Sequence, residues 1–226
     1  MTCALEGLKL LIEHPNYEIE YVLEEKNTKE PSSLFIHGPY LMAEQKNKNG
    51  RVYKLDEMLK EVTRYNKEMI ETNRSIGELN HPTSVEINPE RACHKLVSLK
   101  QEGNTFVGKS KILNTPMGHL VRNLILDGVK LGISSRALGK LNQNGDHNDV
   151  SDFRLICCDI VHDPSVETAF INGILESKEW LVKCDGTICE LYDKFEKKIE
   201  SIPNKDADAY LREQILNFIQ SLKTKK

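Results

Sequence analysis

From Leu8 to Gln45, short runs rich in Ile, Leu, Tyr and Val (Leu8 to Ile12, Tyr17 to Leu23, Leu34 to Ala43) are cut by His14-Pro15-Asn16, Pro31-Ser32-Ser33 and Gly38-Pro39. Proline fixes φ and removes a backbone donor, so runs this short between such breaks favour strands and loops over helix. The same grammar returns further on. Lys95 to Leu99 and Thr105 to Lys109 flank the turn word Glu102-Gly103-Asn104, which predicts a hairpin from His94 to Leu113. Val129 to Leu141 reads as a strand, Asn142 to Asp149 as a polar surface loop, and Asp152 to Val161 as a buried strand stopped near Pro164.

Helices are fewer. Leu55, Met58, Leu59, Val62, Met69 and Ile70 recur at helical spacing after the polar turn Gln45 to Gly50, so Tyr53 to Glu71 is expected to be an amphipathic helix. A second follows Thr115, an N-cap with Pro116 at the first helical position, and runs towards Gly128. Ser165 can cap a further helix through Leu175, and Leu191 to Ile199 and Ala207 to Leu222 carry helical patterns separated by Ile202-Pro203-Asn204. Strands and helices do not alternate regularly. The expectation is an α+β domain built on an antiparallel or barrel-like sheet.

Several function classes lose support at this level. The 31 basic and 34 acidic residues nearly cancel, so nothing demands a nucleic-acid or membrane partner. No Gly-x-Gly-x-x-Gly or Gly-x-x-x-x-Gly-Lys-[Ser/Thr] word offers a phosphate cradle. Cys157 and Cys158 are adjacent, and Cys184 and Cys189 lack C-x-x-C spacing, so no metal site and no cofactor are expected. The start has no signal-peptide pattern and no stretch approaches a membrane span, which fits folding in cytosol with free thiols.

Chemistry concentrates in Gly77-Glu78-Leu79-Asn80-His81-Pro82 and Gly132-Ile133-Ser134-Ser135-Arg136. A serine attacks an amide only with a base in hydrogen-bond reach and donors for the oxyanion, and His81 is the candidate base. The plain alternative for His81 is an exposed loop histidine. On a strand Ser134 and Ser135 face opposite ways. If Ile133 faces the core, Ser134 points into the opposite cleft, which favours it as nucleophile; two ordinary serines on an edge strand are the bland reading. Arg136 reads either as a solvated strand residue or as an oxyanion neighbour. Asp159, a carboxylate within an apolar strand, needs a partner and is the candidate to orient the histidine. His162 and Asp163 read as surface groups, and His94 and His119 as ordinary exposed or capping residues. Cys93 beside His94 offers a thiol alternative, but strand neighbours point apart.

These words occur with Asn47-Lys48-Asn49-Gly50-Arg51-Val52-Tyr53, Gly103-Asn104, Ala137-Leu138-Gly139, Asp159-Ile160-Val161 and Pro164-Ser165. In that order and spacing they resemble the prohead core proteases of T-even-type tailed bacteriophages, over most of residues 30–176. The resemblance implies a fold similar to herpesvirus assemblins, a small antiparallel β-barrel surrounded by helices. It implies a serine endopeptidase with His81 as base, Ser134 as nucleophile, Asp159 as third member and the Ser135-Arg136 backbone near the oxyanion. Herpesvirus relatives use a second histidine as the third member, and Ala137 stands where relatives often carry Gly. Implied substrates are the internal scaffold, or core, proteins and the major capsid protein inside the assembling prohead, in host cytoplasm, with no nucleic acid or membrane partner and a homo-oligomer left open.

The family tends to cut after Glu in a Leu/Ile-x-Glu context and to process itself. Ile188-Cys189-Glu190 and Leu211-Arg212-Glu213 fit that pattern. The expected organisation is a protease domain over residues 1–200 and a C-terminal helical tail over 201–226, a removable propeptide or scaffold-binding segment. The competing function is a silent scaffold or capsid-assembly protein that keeps the protease fold.

Overall fold

The N-terminal apolar runs are strands β1 (Leu5–Glu13), β2 (Glu20–Glu24) and β3 (Ser33–Met42) in the computed structural model, which describes residues 5–13, 20–24, 33–82, 84–162, 179–182 and 187–191. In β3 buried Leu34, Ile36 and Tyr40 alternate with half-exposed neighbours, the signature of a strand with one face on a core. A short β4 (Arg51–Tyr53) leads into helix α1 (Leu55–Tyr65), which buries Met58, Val62 and Tyr65. No side chain of Lys54 caps this helix; instead the Glu44 carboxylate accepts from the Leu55 amide at 2.7 Å. The predicted helix over Tyr53 to Glu71 is therefore shorter, and its last part, Asn66–Ile70, is a π-helical turn.

After β5 (Ile76–Glu78) come β6 (Ala92–Glu102) and β7 (Thr105–Ile112), the hairpin expected around Gly103. Helix α2 (Pro116–Leu126) starts as predicted, with Thr115 Oγ accepting from the Gly118 amide at 3.1 Å. Strands β8 (Gly132–Asn144) and β9 (His147–Val161) form one long hairpin, followed by β10 (Glu179–Val182) and β11 (Ile188–Leu191). The polar stretch Asn142 to Asp149 is thus not a loop. Both strands continue through it to the pair Asn144 and His147, and Gly145, at φ 60°, makes the two-residue turn. Polar residues are compatible with strand there because the hairpin tip stands largely in solvent.

The strands make two sheets, a six-stranded one in the order β11-β10-β1-β8-β9-β4 and a five-stranded one in the order β2-β3-β7-β6-β5. All described pairs are antiparallel except β4 with β9. The antiparallel sheet expectation holds, but no closed barrel ringed by helices is found among the described residues, which have two α-helices. Leu8, Leu10, Ile12, Leu138, Ile156 and Cys157 form a second apolar cluster on the opposite face of the six-stranded sheet from the main core. Both faces are covered, so closure is not needed to bury them.

Ladder slips between Arg136 and Ala137 and between Leu138 and Lys140, with Asp152 at φ 51°, put bulges into the hairpin, and bulged strands bend. Helix α1 is docked beside one bulge: Glu61 accepts from the Leu155 amide at 2.7 Å and Arg64 donates to the Leu155 carbonyl at 3.0 Å. The expected helices after Ser165 and beyond Leu191, and the 201–226 tail, lie outside the described residues. Ile188 to Glu190 lies in β11.

Candidate active site

The site forms where the two sheets meet. Strand β5 belongs to the five-stranded sheet, but directly after it Leu79 bridges Ile160 of β9 and the Asn80 amide donates to the Ile160 carbonyl at 2.8 Å. Asn80 takes a left-handed conformation, φ 64°, which asparagine tolerates better than most residues. The next residue, His81, is thereby delivered over β9. Gly77 allows the approach, since a Cβ there would collide with the Cys158 carbonyl oxygen and the His94 ring.

His81 Nδ1 lies 2.9 Å from Asp159 Oδ2, and its side chain is only 11% exposed. An ionised carboxylate can only accept, so Nδ1 carries a proton and donates it to Asp159, and Nε2 is the ring nitrogen left for other chemistry. The exposed-loop reading of His81 is thus excluded. The other oxygen of Asp159 accepts from the Glu78 amide at 3.0 Å and from Arg136 Nη2 at 3.2 Å, while Arg136 Nε stands 3.1 Å from Oδ2. Burial raises the Asp159 pKa, but the His81 hydrogen bond, then the Arg136 charge and the Glu78 amide, outweigh it and hold the carboxyl below its usual range. It stays charged at neutral pH.

Arg136 is not a solvated strand residue: its side chain is fully buried. Its guanidinium donates to the carbonyls of Ser84 at 2.7 Å and Glu86 at 3.3 Å and pairs with Glu78 at 3.2 Å. Glu78 also faces Arg91 Nε at 3.2 Å. The buried Arg136 and the half-exposed Arg91 therefore supply the positive charge that faces the buried Asp159 and Glu78, which is how buried carboxylates are sustained. Glu78 and Arg91 were missed in the sequence; the available signal was a glutamate inside a Gly, Pro and His turn word.

Ser134 pairs with Asp159 across the ladder, and Arg136 with Cys157, so these four side chains share a face. Ser135 pairs with Cys158 on the main-core face, beside Ile133 and Ile160. The separation of the two serines is as expected, with two differences. Strand β8 is interior, not an edge, and Ser134 is fully buried, not in an open cleft. Its hydroxyl donates to the Glu13 carbonyl at 2.7 Å.

His94 is a correction. It is buried at 1% exposure and not exposed or capping, with Nε2 2.8 Å from the Cys158 carbonyl. The period of β6 turns it inward beneath β5. Cys93 directs its thiol to the Gly77 carbonyl instead, and burial pushes that thiol well up, so the cysteine and histidine do not form a nucleophile and base. His119 and His162 are exposed, as expected, and Asp163 lies outside the described residues. No group of three or more metal-ligating side chains occurs among the described residues, and none of their helices is long and apolar enough to cross a membrane.

Burial lowers the His94 pKa to about 4, although Asp159 partly opposes this. The unfolded chain takes this proton near pH 6.5, so between those values it binds more protons than the folded protein. Stability should therefore fall as pH drops from about 6.5 towards 4. Urea midpoints across that window should decline in the wild type and flatten in His94→Asn; parallel slopes would show that another group carries the effect.

A model of the family described as prohead core protein serine protease matches residues 11–179, most of this chain. The chain belongs to that family. It is 31% identical over 145 residues to the prohead core protein protease of Enterobacteria phage T4, covering 62% of this chain and 68% of that protein. Its fold is similar to the solved bacteriophage T4 capsid assembly protease, with a TM-score of 0.65 and 29% identity over 70% of this chain and 99% of the other. The chain is accordingly a peptidase of the prohead core family, and the buried His81 to Asp159 contact lies inside the matched span.

Proposed function

We propose that this prohead core protease is a serine endopeptidase that digests the scaffold and trims capsid proteins during prohead maturation. The observation that carries the reading is the His81 to Asp159 bond on the sheet face that also holds Ser134. In this mechanism Ser134 Oγ attacks the substrate carbonyl while His81 Nε2 takes its proton. The imidazolium, held by Asp159, then protonates the leaving amine, and water hydrolyses the acyl-enzyme by the reverse proton path. The Arg136 side chain is committed to Glu78 and Asp159, so it acts by holding the carboxylate. Oxyanion stabilisation falls to the main chain around Ser135 and Arg136.

Cleavage after Glu in a Leu/Ile-x-Glu context, self-processing, and removal of residues 201–226 extend the same reading. They rest on the family resemblance and the sequences around Glu190 and Glu213. The silent scaffold alternative is disfavoured because a pure binder has no use for a histidine oriented by a buried, charged aspartate.

Co-expression with the scaffold protein of the same phage, followed by gel and mass spectrometry, tests this. Fragments ending in Glu are expected, with Ser134 labelled by a fluorophosphonate and no loss of activity to iodoacetamide. An intact scaffold and an unlabelled serine in a folded, mature-length protein would favour the silent alternative.

A further inference from the structure

The last residue of β1 is held in an unusual way. Glu13 lies at the end of an apolar strand, and its carboxylate receives four side-chain donors: Asn47 Nδ2 at 2.7 Å and Asn49 Nδ2 at 2.6 Å on one oxygen, Arg51 Nη1 at 2.8 Å and Tyr53 Oη at 2.5 Å on the other. Asn49 also donates to the Ile12 carbonyl at 3.1 Å. These are charge-assisted bonds to a partly buried group, two on each carboxylate oxygen, and they fix orientation as well as position. Burial, then the Glu13 charge, pushes the Tyr53 phenol well up, so it remains a donor. A strand end needs no such clamp merely to stay paired, since Ile12 and Glu13 already pair with Arg136 and Ser135.

What the clamp fixes is the Glu13 carbonyl, and that carbonyl accepts the Ser134 hydroxyl at 2.7 Å. A serine has one hydroxyl proton. While it is given to Glu13 it is not available to the lone pair of His81, and Oγ is not activated. We infer that Glu13 is a positioning residue: clamped by Asn47, Asn49, Arg51 and Tyr53, it holds the Ser134 hydroxyl in a resting orientation that must be released before attack. This rests on Ser134 being the nucleophile. One ordinary hydrogen bond sets the size of the effect, a bias of about threefold to tenfold in the reactive population.

The test is the rate of Ser134 labelling by a fluorophosphonate in the full-length chain, alongside thermal stability. Glu13→Gln removes the charge, Tyr53→Phe removes one donor, and Lys48→Ala alters an exposed residue of the same turn. The inference expects labelling faster by about threefold to tenfold in Glu13→Gln, a smaller gain in Tyr53→Phe even as stability falls, and no change in Lys48→Ala. A clamp that serves only the fold would lower stability without accelerating labelling, so unchanged or slower labelling in folded Glu13→Gln and Tyr53→Phe overturns the inference. No labelling of Ser134 in any variant, with cleavage surviving Ser134→Ala, instead overturns the nucleophile assignment on which it rests.

Discussion

Ser134→Ala should abolish scaffold cleavage, lowering turnover by about 10⁴-fold to 10⁶-fold, the range seen when a serine hydrolase loses its nucleophile. The fold should survive, because the change deletes one hydroxyl and one hydrogen bond to the Glu13 carbonyl. Ser135→Ala is the matched control. That hydroxyl lies on the opposite, main-core face beside Cys158, away from Asp159 and His81, and its removal should leave cleavage largely intact. Both variants are read with the same scaffold substrate on a gel. Full turnover in Ser134→Ala with loss in Ser135→Ala would show that the wrong hydroxyl carries the chemistry.

The second large effect is expected from Asp159→Asn, about 10⁴-fold in kcat with little change in KM, as in serine proteases whose orienting aspartate is replaced. The reason is local. Asp159 can only accept from Nδ1, which fixes the tautomer; an amide at the same place can donate there and turn the lone pair away from Nε2. The substitution also leaves Arg136 with Glu78 as its remaining carboxylate, so stability should fall as well. Circular dichroism separates the two consequences. A folded Asp159→Asn enzyme with near wild-type kcat would remove Asp159 from the mechanism and return attention to a second histidine. His94 is poorly placed for that role, since its Nε2 faces the Cys158 carbonyl.

The clamp on Glu13 shows how a site residue can be visible yet unread. Asn47, Asn49, Arg51 and Tyr53 are donors at every second position, the spacing of one strand face, and Glu13 closes an apolar run. Taken alone, the asparagine-rich part is simply polar and reads as an exposed turn. Only when the bent β8 and β9 hairpin brings β4 to the end of β1 do the donors acquire an acceptor. Glu78 and Arg91 were obscure for the same reason, because a buried glutamate paired with a half-exposed arginine looks like two surface charges until the partner is in place. The polar hairpin tip at Asn142 to Asp149 misled in the opposite direction. Its strands are kept by ladder bonds in solvent, and hydrophobic period carries no trace of those.

Residue order alone determined the local elements: the apolar N-terminal strands, with β3 running on through Gly38-Pro39, the Thr115 cap, the hairpin at Gly103, and the opposed faces of Ser134 and Ser135. These follow from backbone sterics and periodicity, which act over a few residues. The tertiary structure alone decided that the sheets remain two and not a closed barrel, that Arg136 and His94 are buried, and that Glu13 holds Ser134. Each of those depends on groups many tens of residues apart meeting in low dielectric, where a charge or hydroxyl must find a partner or be excluded.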